Sequence, residues 1–200
     1  MWQQAGIALP AGVAKAVPKR QAEYLAGRYL VRQLQCKLML AQTAVVNASD
    51  RSPVWPAGSS GSISHSQGIV WAGLSSQVDM SLGLDVEQLF NATQVQELGS
   101  QLLSPDEKRW LQSQPYPETL MYSLAFAAKE ALYKALYPDC QKIKEFTAAR
   151  VSAISASQLE LCLTENWSAQ WSAGQCITLD YWCNSGMVWL ACEVKKRRYN

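Results

Sequence analysis

Leu82-Gly83-Leu84-Asp85-Val86-Glu87 sets two carboxylates one residue apart inside an otherwise apolar run. In an extended strand, side chains i and i+2 share a face about 6.5–7 Å apart, so Asp85 and Glu87 point one way while Leu84 and Val86 point into a core. Two oxygen donors of this kind suit Mg²⁺, which keeps several waters and takes one or two protein carboxylates alongside substrate phosphates. The competing reading is a strand end with a solvated acidic face. Two further stretches bear on the choice: Gly61-Ser62-Ile63-Ser64-His65-Ser66 upstream and Phe126-Ala127-Ala128-Lys129-Glu130-Ala131-Leu132-Tyr133-Lys134 downstream.

Working outward, residues 78–87 read as the strand that delivers the acidic pair, and residues 63–75 as a strand pair turning at Gln67-Gly68. Residues 47–61 hold Ser, Asp, Pro and Gly and read as a loop that carries Arg51. Pro18 followed by residues 19–42 reads as a first long helix, with proline in its first turn and Tyr24, Leu25, Tyr29, Leu30, Leu34 and Leu38 at helical spacing. Arg20 and Arg28, eight apart, differ by about 80° around such a helix and can face one ligand; a solvated basic face is the alternative.

Downstream, the polar run 94–100 and Ser104-Pro105-Asp106-Glu107 mark a join, with Ser104 as N-cap, Pro105 at N1 and Glu107 closing a capping box. A second long helix is predicted over residues 119–137, stopped by Pro138. Strands are predicted over 159–163, 176–182 and 187–194, the last two joined by a hairpin turn at Asn184-Ser185-Gly186. The basic run 195–198 reads as a solvated tail. The residues alone give an α+β fold.

Two hundred residues bury a sizeable core as one domain or two small halves. The 18 Lys and Arg nearly balance 16 Asp and Glu, so bulk charge argues for no nucleic-acid partner. The six cysteines show no C-x-x-C spacing, and His65 is the only histidine, which speaks against a zinc site. They are expected as thiols in a reducing cytosol. Residues 5–17 lack a positive n-region and do not read as a signal peptide, and no apolar run reaches the ~20 residues of a membrane span. A cytoplasmic monomer is expected.

Glu130 and Lys134, at i and i+4, share one helix face in the favourable order. Read blandly they are an exposed ion pair contributing about 0.3–0.5 kcal/mol. Aligned with the acidic strand, the acid would complete a metal site or act as a base, and the lysine would meet a phosphate. His65 stands among small residues that let a backbone approach an anion, though a lone histidine is as readily structural. There is no G-K-[ST] ending and no G-x-G-x-x-G, so ordinary kinase and dinucleotide readings find no support.

In this order and at these separations, the three stretches resemble the signatures of 4′-phosphopantetheinyl transferases. Lys19-Arg20-x-x-Glu23-x-Leu25-Ala26-Gly27-Arg28 and Pro53-Val54-Trp55-Pro56 are similar to the branch that serves enterobactin synthesis. The resemblance covers residues 9–140 and implies two similar α/β halves related by a pseudo-twofold axis, each a long helix against a mostly antiparallel three-stranded sheet. Residues 1–100 would hold the grip on the coenzyme A 3′-phosphate and the acidic strand; residues 101–200 would hold the Lys-Glu helix and the C-terminal sheet.

The implied reaction moves the phosphopantetheine arm of coenzyme A to a serine of an acidic apo carrier protein and releases 3′,5′-ADP, in a siderophore peptide synthetase or, as alternatives, on fatty acid or polyketide carriers. By resemblance Asp85, Glu87 and Glu130 hold Mg²⁺, and Glu130 is also the base. Lys134, His65 and Ser64 neutralise the diphosphate, and Arg20, Arg28 and Arg51 grip the 3′-phosphate. Ala127 stands where many relatives carry a small hydroxyl residue, and the stretch before Lys19 is shorter than usual, so an N-terminal strand is expected to be missing or shifted. A non-catalytic coenzyme A or carrier-binding module is the rival from another class; an aligned base speaks against it.

Overall fold

The computed structural model describes residues 7–196. In chain order these form α1 (Ala11–Ala14), α2 (Pro18–Lys37), β1 (Val46–Asn47), β2 (Pro53–Val54), β3 (Ser60–Ser66), β4 (Ile69–Ser75), β5 (Met80–Gln88), α3 (Ala92–Leu102), α4 (Pro105–Gln112), α5 (Glu118–Cys140), a 3-10 turn (Phe146–Ala148), β6 (Ala149–Ile154), β7 (Gln158–Leu163), β8 (Cys176–Asn184) and β9 (Met187–Lys195). The fold class is α+β with antiparallel pairing throughout.

Local chemistry explains the element ends. Pro18 occupies the first turn of α2, where its missing N–H costs nothing. Gln67 and Gly68 both take positive φ, 49° and 79°, as a tight two-residue hairpin turn requires, and Ser185 and Gly186 do the same between β8 and β9. Ser104 caps α4 by accepting from Glu107 N. The middle of α5 is apolar on nearly every side, with Leu124, Leu132 and Leu136 fully buried. Each such side chain contributes about 1.5–3 kcal/mol of transfer free energy.

The main sheet runs β5-β9-β8-β7-β6, and β3 and β4 form a separate hairpin. Helix α2 packs on the hairpin and α5 on β5 and β9. The other edge of β5 meets β3 through side chains instead of a ladder: Ser62 Oγ accepts from Leu84 N at 2.8 Å and Ser64 Oγ from Val86 N at 3.3 Å. Hydroxyls thereby satisfy amides that a lone edge strand would leave open. Strand β5 is thus held by the hairpin on one edge, by the five-stranded sheet on the other and by α5 on its face.

Several expectations change. The first long helix ends at Lys37, short of residue 42. The polar run 94–100 is not a join but the body of α3, whose own capping box pairs Asn91 with Gln94. Glu107 closes no capping box, because its carboxylate is drawn to Lys129 and Val151 N. Pro138 does not stop α5, which runs to Cys140 and ends at Gln141 in the left-handed region; so near the C-terminus one lost hydrogen bond is tolerated.

The three-stranded sheet expected of each half is replaced by a two-stranded hairpin and a five-stranded sheet, since β5 pairs with β9. Cys162 and Cys176, directly opposed on β7 and β8, form a disulfide where thiols were expected; Cys36, Cys140, Cys183 and Cys192 are free. Lys195 and Lys196 are not simply solvated, pairing with Asp79 at 3.8 Å and Asp139 at 2.9 Å, while residues 197 and 198 lie outside the described residues. Among the described residues no helix is long and apolar enough to cross a membrane.

Candidate active site

Parity along β5 places the acidic pair. A Cβ on Gly83 would meet Ala131 O at 1.8 Å, so this face of the strand lies directly against α5, and Asp85 and Glu87 share it. Asp85 is 2% exposed. Its Oδ1 accepts from Lys134 Nζ at 2.6 Å and from Ser64 Oγ at 2.7 Å. Lys134 also donates to Leu84 O at 3.2 Å. Glu87 Oε2 accepts from Ser66 Oγ at 3.0 Å. The alternating serines of β3 therefore serve two ends: Ser62 and Ser64 close the strand edge, while Ser64 and Ser66 orient the two carboxylates.

The three acids feel one another. Burial, with the Asp85 charge added, pushes Glu87 up to about 7 against the pull of Ser66 and Lys134, and Glu130 raises it further. Burial also raises Glu130, with Lys134 opposing and Asp85 adding. Asp85 Oδ2 is buried without a hydrogen-bond partner. A buried anionic oxygen left unpaired beside two reluctant carboxylates is a costly arrangement that a divalent cation would relieve. The donor set, hard carboxylate oxygens from a strand and a facing helix, fits Mg²⁺.

The imidazole stands near Lys134, with Arg20 of α2 against it. Arg20 Nη1 meets His65 Nε2, and Glu23 Oε2 lies 3.5 Å from His65 Nδ1 and 3.7 Å from Arg20. A guanidinium has no lone pair to offer, so Nε2 is the acceptor and the ring is neutral. Burial in particular holds His65 below its ordinary value, Glu23 opposing and the Arg20 and Lys134 charges assisting. Arg28 lies over the Tyr24 ring at 4.4 Å from its centroid and donates to Val45 O at 2.8 Å and to Asn47 Oδ1. It lines a cavity of about 470 Å³ between α2 and residues 42–47.

Of the residues singled out from sequence, Ser64, Asp85 and Lys134 are in direct contact, Glu87 and Glu130 are coupled to them by charge, and His65 adjoins with Arg20. Arg28 faces its own cavity. Arg51, at φ 72° in the exposed turn after Asn47, makes no side-chain bond to the cluster among the described residues, although its neighbour Asp50 accepts from the Tyr137 hydroxyl of α5.

Sequence reasoning gave Glu23 no role, although its i, i+3 spacing from Arg20 was an available signal, and read Ser66 as an anion donor where it instead donates to Glu87. It also missed the cavity of about 370 Å³ beside Glu130, walled by Tyr133, Ile143, Lys144, Phe146 and Trp167. Nothing in residue spacing announces that cavity.

Fold and site together define an α+β protein with a buried acidic cluster held by a lysine and adjoined by a histidine and one arginine. The sequence profile of the 4′-phosphopantetheinyl transferase N-terminal domain matches residues 9–75, and that of the 4′-phosphopantetheinyl transferase superfamily matches residues 81–183. The chain belongs to the 4′-phosphopantetheinyl transferase superfamily. It is 34% identical over 152 residues to enterobactin synthase component D of Salmonella typhi, covering 76% of this chain and 62% of that protein. It is likewise 34% identical over 131 residues to the 4′-phosphopantetheinyl transferase Svp of Streptomyces mobaraensis, covering 64% of this chain and 52% of that one. The chain thus spans less than two thirds of the length of these relatives. A holo-(acyl-carrier-protein) synthase from Bacillus anthracis superposes with a TM-score of 0.41 at 16% identity, over 58% of this chain and 96% of that one.

Proposed function

We propose that this chain transfers the 4′-phosphopantetheine arm of coenzyme A to a serine hydroxyl of an acidic apo carrier protein, releasing 3′,5′-ADP. The names of its relatives favour siderophore synthetase carriers as the acceptors. The observation that carries the reading is Asp85 itself, held through Oδ1 by Lys134 and Ser64 with Oδ2 buried and unpartnered, while Glu87 and Glu130 feel its charge.

Asp85, Glu87 and Glu130 hold Mg²⁺. When bound, the ion neutralises charge on the diphosphate oxygens. Lys134, already resting against Asp85, supplies a further positive charge beside the phosphates, and Ser64 keeps the Asp85 carboxylate turned into the cleft. Glu130, its proton affinity raised by burial, accepts the serine proton as the serine oxygen bonds to the β-phosphorus and the bond to the departing 3′,5′-ADP breaks. The anionic diphosphate raises the His65 imidazole again, so that it donates to the leaving group. Arg20, Arg28 and Arg51 attract the 3′-phosphate, and the cavity beside Glu130 receives the pantetheine chain.

The enzyme works as a monomer in the cytoplasm, where coenzyme A is found. The exposed Cys176 leaves the cross-strand disulfide open to cellular thiols.

The test is the intact mass of an apo peptidyl carrier protein after incubation with this chain, coenzyme A and Mg²⁺. A gain of one phosphopantetheine arm, lost with a chelator and lost in folded Asp85→Asn and Glu130→Gln variants, is expected. Coenzyme A binding without any gain on several carriers would instead make the chain a binding module.

A further inference from the structure

Glu107 and Lys129 form an ion pair more deeply buried than the pair beneath the candidate site, their side chains 0% and 3% exposed. Lys129 Nζ donates to Glu107 Oε2 at 2.8 Å and to Leu102 O, at the end of α3, also at 2.8 Å. The other carboxylate oxygen, Glu107 Oε1, accepts from Val151 N of β6 at 2.7 Å. One knot therefore ties together α3, α4, α5 and β6.

A buried ion pair is a poor source of net stability, because desolvating two charges offsets their attraction and an apolar pair of similar volume often does as well. What such a pair does supply is a fixed geometry, since every donor and acceptor must be met at once. Lys129 immediately precedes Glu130, and both border the cavity of about 370 Å³. About 100° separates successive residues around a helix, so anchoring Lys129 toward α3 and α4 sets the direction in which Glu130 leaves α5. From the strand side, α5 is seated on Gly83 without room for a Cβ.

Resting on the reading given under Proposed function, we infer that Glu107 and Lys129 are positioning residues: together with Gly83 they fix the depth and rotation of α5 so that the Glu130 carboxylate meets Asp85 and the serine hydroxyl at one place. Neither residue touches the reacting atoms.

The experiment compares the wild-type chain with the double variant Glu107→Gln, Lys129→Met, which removes both charges at similar volume and leaves no orphan ion. In the folded variant kcat should fall on the order of 10²-fold, the cost of an ångström-scale misplacement. At saturating metal, KM for coenzyme A should rise less than kcat falls, because the arginines assigned to its 3′-phosphate stand away from the pair. Mn²⁺ affinity, followed by the free-ion resonance without substrate, should also fall. A folded double variant with unchanged kcat and unchanged Mn²⁺ affinity overturns the inference. Should the double variant not fold, Lys129→Arg, which keeps the charge but moves the donors, is read by the same two quantities; failure of both to fold makes the pair purely structural and overturns it. If the wild type modifies no carrier, the transferase reading fails on its own, and Mn²⁺ affinity alone then decides: a loss in the folded variant sustains positioning, while equal affinity, or no Mn²⁺ bound by the wild type, overturns it.

Discussion

At the scale of single residues, burial and mutual charge decide which acids of the cluster keep their protons. Glu87 has an ordinary carboxyl value of 4.5 when unfolded and about 7 when folded, chiefly through burial and then through Asp85. Between those values the folded chain holds a proton that the unfolded chain has released. The stability this confers is full below pH 4.5 and is lost as pH rises through about 7. His65, lowered by burial, acts in the opposite sense below 6.5, and Glu130 in the same sense as Glu87. Comparing wild type with Glu87→Gln cancels both. In thermal melts of metal-free protein, the wild type should lose ground to Glu87→Gln across this window, and Mg²⁺ should restore it, because the cation favours the ionised carboxylate. A difference in melting temperature that does not vary with pH would mean that Glu87 titrates normally.

At the scale of elements, the contact of β5 with α5 decides whether the acids meet the Glu-Lys face. Gly83 is indispensable there for want of space, not for its backbone freedom: the added Cβ would sit 1.8 Å from Ala131 O and 2.7 Å from Ala135 N, and helix backbone does not yield as a side chain does. Gly83→Ala should therefore cost at least the about 1–3 kcal/mol typical of overpacking, measured by denaturant unfolding. Transfer by the remaining folded protein should fall as well, since Lys134 would draw away from Asp85. A destabilised variant whose folded fraction keeps full activity would show that the cleft tolerates a shifted helix.

At the scale of the molecule, the site lies where two layers meet. Helix α2 with the β3–β4 hairpin brings His65 and Arg20, while Arg28, also on α2, faces its own cavity; α5 with the five-stranded sheet brings the three acids and Lys134. Strand β5 belongs by pairing to the second layer and is stitched to the first by serine hydroxyls. If the first layer grips the 3′-phosphate, Arg28→Ala should weaken coenzyme A on the order of 10–100-fold, the worth of a charge-assisted hydrogen bond, and dephospho-coenzyme A much less. Calorimetric titration of both ligands measures this. Equal losses would confine Arg28 to bracing Val45 and Asn47, which it already contacts.

The amino-acid sequence by itself determined the α+β class, the long helices from Pro18 and from about residue 119, the turns at Gln67-Gly68 and Ser185-Gly186, and the acidic and basic residue types of the candidate site. Those features rest on periodicity, on positive-φ residues and on residue types that act within a few positions of one another. It did not disclose that β5 would pair with β9 and not with the β3–β4 hairpin before it, that Pro138 would be tolerated, or that Glu107 would turn from its helix cap toward Lys129. Pairing partners, burial and charge coupling depend on residues brought together from distant positions, and no local pattern encodes that proximity. The tertiary structure alone decided that Asp85 would be buried with one oxygen unpaired, which is what makes an acidic strand end a candidate site.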